Sequence, residues 1–245
     1  MSRTIPLQCF FSSIREAGIH PRPRRLEFYL RFLFDSVRLA GASVLDVGGG
    51  DGSLSFYAVC SGAREVVCLE PRADGFPPGA GPAFEGLAAR LGGGGVRLEA
   101  TTLQEYDPGS AMFDVILLHN SINHLDEEAC ISLLRDASAR DRYLALFRKL
   151  ARLARRDATL LVTDCSRRNL YPLLGLKNPI RPTIEWHKHQ TPEVWARLLA
   201  QAGFGRSRIR WRSPNHLRSA GRVLLGNRIA AFLLDAQFCL TMIRQ

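Results

Sequence analysis

Asp46 stands two residues ahead of a run of glycines, in the stretch Val44-Leu45-Asp46-Val47-Gly48-Gly49-Gly50-Asp51-Gly52. Glycine lets the backbone turn sharply and approach a ligand closely, because no Cβ intervenes. At the carboxyl end of a parallel strand, such a turn is where open α/β sheets hold nucleotide-like ligands. The spacing of Gly48, Gly50 and Gly52 is G-x-G-x-G. It is not the G-x-G-x-x-G that seats a diphosphate on a helix N-terminus. A carboxylate at Asp46 would repel a diphosphate. It would suit a cationic ligand carrying an amine and a sulfonium.

Two further clusters could move protons. His119-Asn120-Ser121-Ile122-Asn123-His124 packs two imidazoles and two amides into six residues behind an apolar strand. His124 is the first choice for a general base, since imidazole exchanges protons near neutrality. The structural alternative is capping, with Asn123 or Asp126 starting the next helix. His119, nearer the strand end, is placed with Asn120 in the lining of the ligand site. The second cluster is Glu185-Trp186-His187-Lys188-His189-Gln190-Thr191-Pro192. There His187 or His189 could act as base and Lys188 could hold an anionic substrate. Its alternative is a surface loop anchored by Trp186. Asp164, ending a strongly apolar strand, is a further candidate. No histidine–cysteine spacing suits a metal, so none is expected.

The pattern V-L-D-V-G-G-G-D-G resembles motif I of the class I S-adenosylmethionine-dependent methyltransferases, of small-molecule type. A second acid follows at the spacing that family requires. Glu65-Val66-Val67-Cys68-Leu69-Glu70 reads as the next strand, with Glu70 at its end. The resemblance runs over roughly residues 40–205. It implies S-adenosylmethionine as cofactor, with Asp46, Gly48, Gly50 and Gly52 on its methionine side and Glu70 on the ribose hydroxyls. Leu103 and Gln104, after a third strand at 96–100, would meet the adenine. Met112–Asn120 looks like motif IV, a strand running into the active-site edge, and puts His119 and Asn120 there. In similar enzymes the stretch around His187 and His189 carries substrate-facing residues. The implied reaction is methyl transfer to an oxygen or nitrogen of a small metabolite, sugar or natural product.

Two other functions compete. The net charge of +10 prompts a nucleic-acid methyltransferase. However, Asn120-Ser121-Ile122-Asn123 occupies the place where base-modifying relatives carry Asn/Asp-Pro-Pro-aromatic, and no added binding module is evident. A non-catalytic, cofactor-binding partner subunit would have no use for an intact glycine turn flanked by two acids. A nicotinamide-dependent oxidoreductase fits least, because the glycine spacing is wrong for it.

The elements that must position these residues alternate between strand and helix, which predicts an α/β fold. The expected architecture is a doubly wound, mostly parallel seven-stranded sheet with helices on both faces, the Rossmann-like fold of the class I methyltransferases. A single domain over 1–245 is expected. It comprises a helical cap at 1–40, a cofactor-binding core at 41–205, and closing strands at 206–245 with a helical insertion at 219–235. The spacing predicts strands at 43–47, 66–70, 96–100, 158–164, 206–211 and 237–243. It predicts helices from Ser53, over 84–91, over 127–138 and 141–155, and over 191–202. Residues 72–82 and 166–190 read as loop. The apolar residues of 219–235 suit core or lid packing ahead of contact with a membrane or partner.

Hydrophobic residues make up 46% of the 245, enough for a sizeable core. Lysine occurs only at 149, 177 and 188, so the positive charge is nearly all arginine. Its spread, dispersed apart from clusters at 22–25 and 206–212, alongside abundant Ala, Gly and Leu, reads as a compositional habit. The six cysteines form no C-x-x-C pair, which suits a reducing compartment. With no leader-like start and no run of about 20 apolar residues, a cytoplasmic protein acting on a small molecule is expected. Oligomeric state is left open, a homodimer included.

Overall fold

Continuous apolar runs such as Val44–Val47 and Val66–Leu69 are what strands buried on both faces require. In the computed structural model, which describes residues 5–71, 80–214 and 218–245, those runs lie side by side. The first compact unit, Met1–Leu118, opens with helices α1 (Leu7–Glu16) and α2 (Pro23–Leu33). It continues with β1 (Ser43–Val47), α3 (Ser53–Cys60), β2 (Glu65–Leu69), α4 (Ala80–Arg90), β3 (Val96–Glu99) and β4 (Phe113–His119). β1 pairs in parallel with β2, Val47 opposite Leu69, and with β4, Asp46 opposite Leu117. β2 pairs in parallel with β3, Leu69 opposite Glu99. This register brings the carboxyl ends of β1 and β2 level. The glycine turn and Glu70 therefore leave the sheet as neighbours.

The second unit, His119–Gln245, starts with a 3-10 turn at Ile122–Leu125, then α5 (Glu127–Ser132), α6 (Ala137–Leu153) and β5 (Ala154–Cys165). It continues with α7 (Leu170–Leu173), a 3-10 turn at Trp186–Lys188, α8 (Pro192–Gln201), β6 (Phe204–Trp211), α9 (Arg218–Leu225), α10 (Arg228–Leu233) and β7 (Gln237–Arg244). β7 runs antiparallel to both β5 and β6. The seven strands form one mixed sheet in the order β3-β2-β1-β4-β5-β7-β6. The core of this unit is aromatic. Tyr143, Phe147 and Trp195 meet with ring centroids 5.1–5.9 Å apart. The Tyr143 hydroxyl lies 3.0 Å from the Ile122 carbonyl and 3.2 Å from those of Asn123 and Asp126. That anchor fixes the histidine-bearing segment after β4.

Several boundaries differ from the sequence reading. The leading helical stretch is two helices, parted where Gly18 takes φ +69° and Pro23 restarts the helix. α4 begins at Ala80 instead of 84, while residues 72–79 of the expected loop lie outside the described residues. The break between α5 and α6 falls at 133–136, ahead of the expected 138–140. Asp136 caps α6 there, accepting from the N–H groups of Ser138 and Ala139. β5 starts four residues early, and the expected loop at 166–190 contains α7 and a 3-10 turn. The segment 219–235 is two helices, parted at Gly226-Asn227, with Asn227 capping α10. Core packing of its apolar side chains is overturned: Val223 is 83% exposed, Leu224 70% and Ile229 74%. Five of the six free cysteines are buried and Cys9 is exposed. Among the described residues no helix is long and apolar enough to cross a membrane, and no cluster of metal-ligating side chains occurs.

Candidate active site

The turn after β1 takes its shape from its glycines. Gly48, Gly50 and Gly52 have φ of +72°, +56° and +75°, the left-handed region that costs other residues about 1–2 kcal/mol each. The N–H groups of Gly48 and Gly49 donate to the Leu69 carbonyl at 2.8 and 3.3 Å, and that of Gly52 to the Gly49 carbonyl at 2.9 Å. A Cβ on Gly49 would lie 2.4 Å from Cys68 Sγ; one on Gly52 would lie 2.4 Å from Phe84 Cδ2. Gly52→Ala combines backbone strain with overpacking. It is expected to cost roughly 2–5 kcal/mol of stability in urea unfolding; an unchanged midpoint would refute this account of the turn.

Three acids surround the turn, and among the described residues no lysine or arginine pairs with any of them. Asp46 is 0% exposed. Its Oδ2 accepts from Ser55 Oγ at 2.7 Å, while its Oδ1 has no hydrogen-bond partner. Burial raises its pKa to about 6, against the pull of the Ser55 hydrogen bond and with a smaller push from the Asp51 charge. Glu70 is half-buried and accepts the Gly50 N–H through Oε2. Burial raises it to about 7, opposed by that bond and helped by the charges of Asp46 and Asp51. Asp51 accepts the Ser53 N–H at 2.9 Å, at the start of α3. A buried carboxylate oxygen without a donor is costly. Three acids around a backbone concavity, without a basic partner among the described residues, make a place for a cation and a hostile one for a diphosphate.

Beyond β3, Leu103 is buried and Gln104 exposed, so only Gln104 offers an accessible side chain. His119 ends β4, half-buried. Asn120 is exposed with φ +54°, its N–H donating to the Thr163 carbonyl at 2.8 Å and its Oδ1 accepting from Gln237 Nε2 at 3.4 Å.

In the second unit the three histidines separate by environment. His124 is exposed, its Nδ1 2.5 Å from Glu127 Oε1. His187 is exposed on the 3-10 turn. His189 is buried, with Nδ1 2.9 Å from Oδ1 of Asp164, itself 1% exposed. The same Asp164 oxygen accepts the Cys165 N–H at 2.7 Å. Asp164 thus holds the imidazole by one nitrogen, and Nε2 meets no partner among the described residues. The next residue is locked as well: Gln190 Nε2 donates to the Cys130 carbonyl at 2.6 Å, and Cys130 Sγ to the Lys188 carbonyl at 3.2 Å. Lys188 Nζ lies 3.3 Å from Glu127 and 2.8 Å from Glu185. Glu127 therefore joins the His124 segment to the His187–His189 segment.

The roles of Gln190, Cys130 and Glu127 were not read from sequence. Partners 60 residues apart leave no local pattern. Two residues beyond each member of the Asp164–His189 pair, Ser166 and Thr191 begin the wall of a cavity of ≈ 310 Å³. Trp211 and Phe232 give it aromatic sides, and Arg168 and Arg228 give it cations.

No protein-family model matches the sequence, and no curated protein does. Solved structures do. One is an S-adenosylmethionine-dependent methyltransferase from Mesorhizobium loti, with TM-score 0.58 and 14% identity over 89% of this chain and 98% of that one. This fixes the architecture. The chain has the fold of the class I S-adenosylmethionine-dependent methyltransferases. The plantazolicin methyltransferase BpumL, solved with S-adenosylhomocysteine, matches with TM-score 0.53 and 14% identity over 96% of this chain and 85% of that one. The pyocyanin biosynthetic protein PhzM matches with TM-score 0.55 and 19% identity over 89% of this chain, which spans 55% of PhzM. In this methyltransferase fold the glycine turn follows the first strand of the sheet, and Glu70 follows the second.

Proposed function

We propose that the chain is an S-adenosylmethionine-dependent methyltransferase acting on an oxygen or nitrogen of a small molecule. One observation carries the reading: Asp46, fully buried and half-unsatisfied, shares the glycine turn with Glu70 and Asp51, and among the described residues no basic side chain pairs with them. Those residues fit a ligand bearing an ammonium and a sulfonium. Bound there, S-adenosylmethionine supplies an electrophilic methyl group.

Asp46 and the backbone of Gly48, Gly50 and Gly52 hold the methionine side. Glu70 accepts the ribose hydroxyls. Leu103 and Gln104 meet the adenine. His119 and Asn120 line the cofactor. His189 is the base: Asp164 fixes its tautomer and leaves Nε2 to take the proton of the attacking hydroxyl or amine. His124 and His187, both exposed, contact the substrate. The cavity behind the Asp164–His189 pair seats the substrate's body.

Calorimetry with S-adenosylhomocysteine tests the pocket. Glu70→Ala is expected to weaken binding about 10–100-fold, the worth of one or two hydrogen bonds to a charged acceptor. Binding as tight as the parent's would refute the assignment.

A further inference from the structure

Eight of the twelve large apolar side chains that are exposed among the described residues lie in two short stretches of the second unit. Leu173, Leu174, Leu176 and Ile180 come from α7 and the loop behind it. Val223, Leu224, Ile229 and Leu233 come from α9 and α10. Hydrogen bonds fasten the stretches together. Asn169 Nδ2 donates to the Phe232 and Leu234 carbonyls at 3.0 Å, and Asn178 Nδ2 to Asn169 Oδ1 at 3.0 Å. Asn169 is 0% and Asn178 1% exposed, so these bonds lie beneath the face.

The charge carried by the two stretches themselves has one sign. Residues 166–181 and 218–234 contain seven arginines and lysines and no aspartate or glutamate. Arg168, Lys177, Arg222 and Arg228 are exposed. Glu193 lies 3.7 Å from Arg228, and Asp235 3.9 Å from Arg181.

We propose that this face docks the protein onto an anionic lipid bilayer, lying on its surface without crossing it. Apolar side chains on an interfacial helix enter the headgroup–acyl boundary, and flanking cations are drawn to anionic headgroups. A second copy of the chain is a poorer occupant. A two-fold interface brings the same patch onto itself and would set cation against cation. α10 also gives Ile229 and Phe232 to the cavity wall, so docking sets the cavity beside the lipid. The inference does not rest on the methyl-transfer reading.

Cosedimentation of the full chain with vesicles tests it. The protein is expected to bind phosphatidylcholine vesicles containing phosphatidylglycerol, to bind pure phosphatidylcholine far less, and to be released by salt. Val223→Glu with Leu224→Glu alters only exposed positions and is expected to lower partitioning by at least roughly tenfold. Arg168→Gln and Lys177→Gln are each expected to lower it about fivefold at low salt. Circular dichroism and the urea midpoint confirm that each variant is folded. No binding to anionic vesicles at low salt, or equal binding by folded V223E/L224E, would overturn the proposal. So would a dimer that V223E/L224E dissociates, seen by sedimentation velocity, in a protein that ignores vesicles.

Discussion

Asp46→Asn is expected to stabilise the ligand-free protein at alkaline pH, destabilise it at acidic pH, and weaken its hold on the sulfonium donor throughout. Burial raises the Asp46 carboxyl from 3.8 to about 6 in the folded state. The folded protein therefore holds that proton more tightly than the unfolded chain. Its contribution to stability is complete below the unfolded value and is lost as pH rises through about 6. Above that, the ionised, half-unsatisfied carboxylate costs the fold on the order of 3 kcal/mol. Asparagine removes the charge but puts an N–H₂ where Oδ1 has no partner, at about 1–3 kcal/mol. The stability difference between the two proteins should thus move by roughly 2–3 kcal/mol between pH 4 and pH 8, in favour of asparagine as pH rises. Urea unfolding at a series of pH values measures this, and parallel curves would refute it. In calorimetry the same substitution should weaken S-adenosylmethionine at least roughly tenfold, the loss of one buried charge–charge contact. A protein made more stable and less able to bind is what a strained, preorganised site predicts.

The second large effect is on turnover. His189→Gln is expected to lower kcat about 10²–10⁴-fold, the usual worth of a general base, with S-adenosylhomocysteine binding intact. Asp164→Asn removes the group that orients the imidazole. It should lower kcat while leaving KM and cofactor affinity near the parent's, because in this reading the residue acts through His189. The assay is transfer of a labelled methyl group into fractionated cell extract, with the labelled product identified by mass. A general-base role further predicts that added imidazole partly restores His189→Ala. Loss of less than about threefold in His189→Gln would remove the residue from the mechanism.

What could be read from the sequence was what is local. The strand, turn and acid at 44–52 are adjacent in the chain, and Glu70 follows the next strand, so a single window contains most of the proposed ligand chemistry. The Asp164–His189 pair spans 25 residues and forms only because the end of β5 lies against the turn before α8. Of His124, His187 and His189, the sequence puts His124 first; burial of both His189 and its carboxylate partner distinguishes the third, whereas His124 meets Glu127 at the surface. Boundary errors have a similar origin. Asp136 could be seen as a helix cap only once its side chain was found on the Ser138 and Ala139 N–H groups. By contrast, the Gly226-Asn227 stop within 219–235 was a legible break signal. Apolar periodicity outweighed it, although those apolar residues are not buried.

The thiols have a practical consequence. Burial pushes the Cys60 thiol up to about 11 and those of Cys130 and Cys165 up to about 12, with Cys68 and Cys239 raised as well. Thiolates attack maleimides and thiols do not, so these five stay inert while the fold is intact. Cys9, exposed on α1, then becomes a ready-made attachment point: a fluorophore added at neutral pH reports from the first helix alone, without any cysteine being engineered in or out.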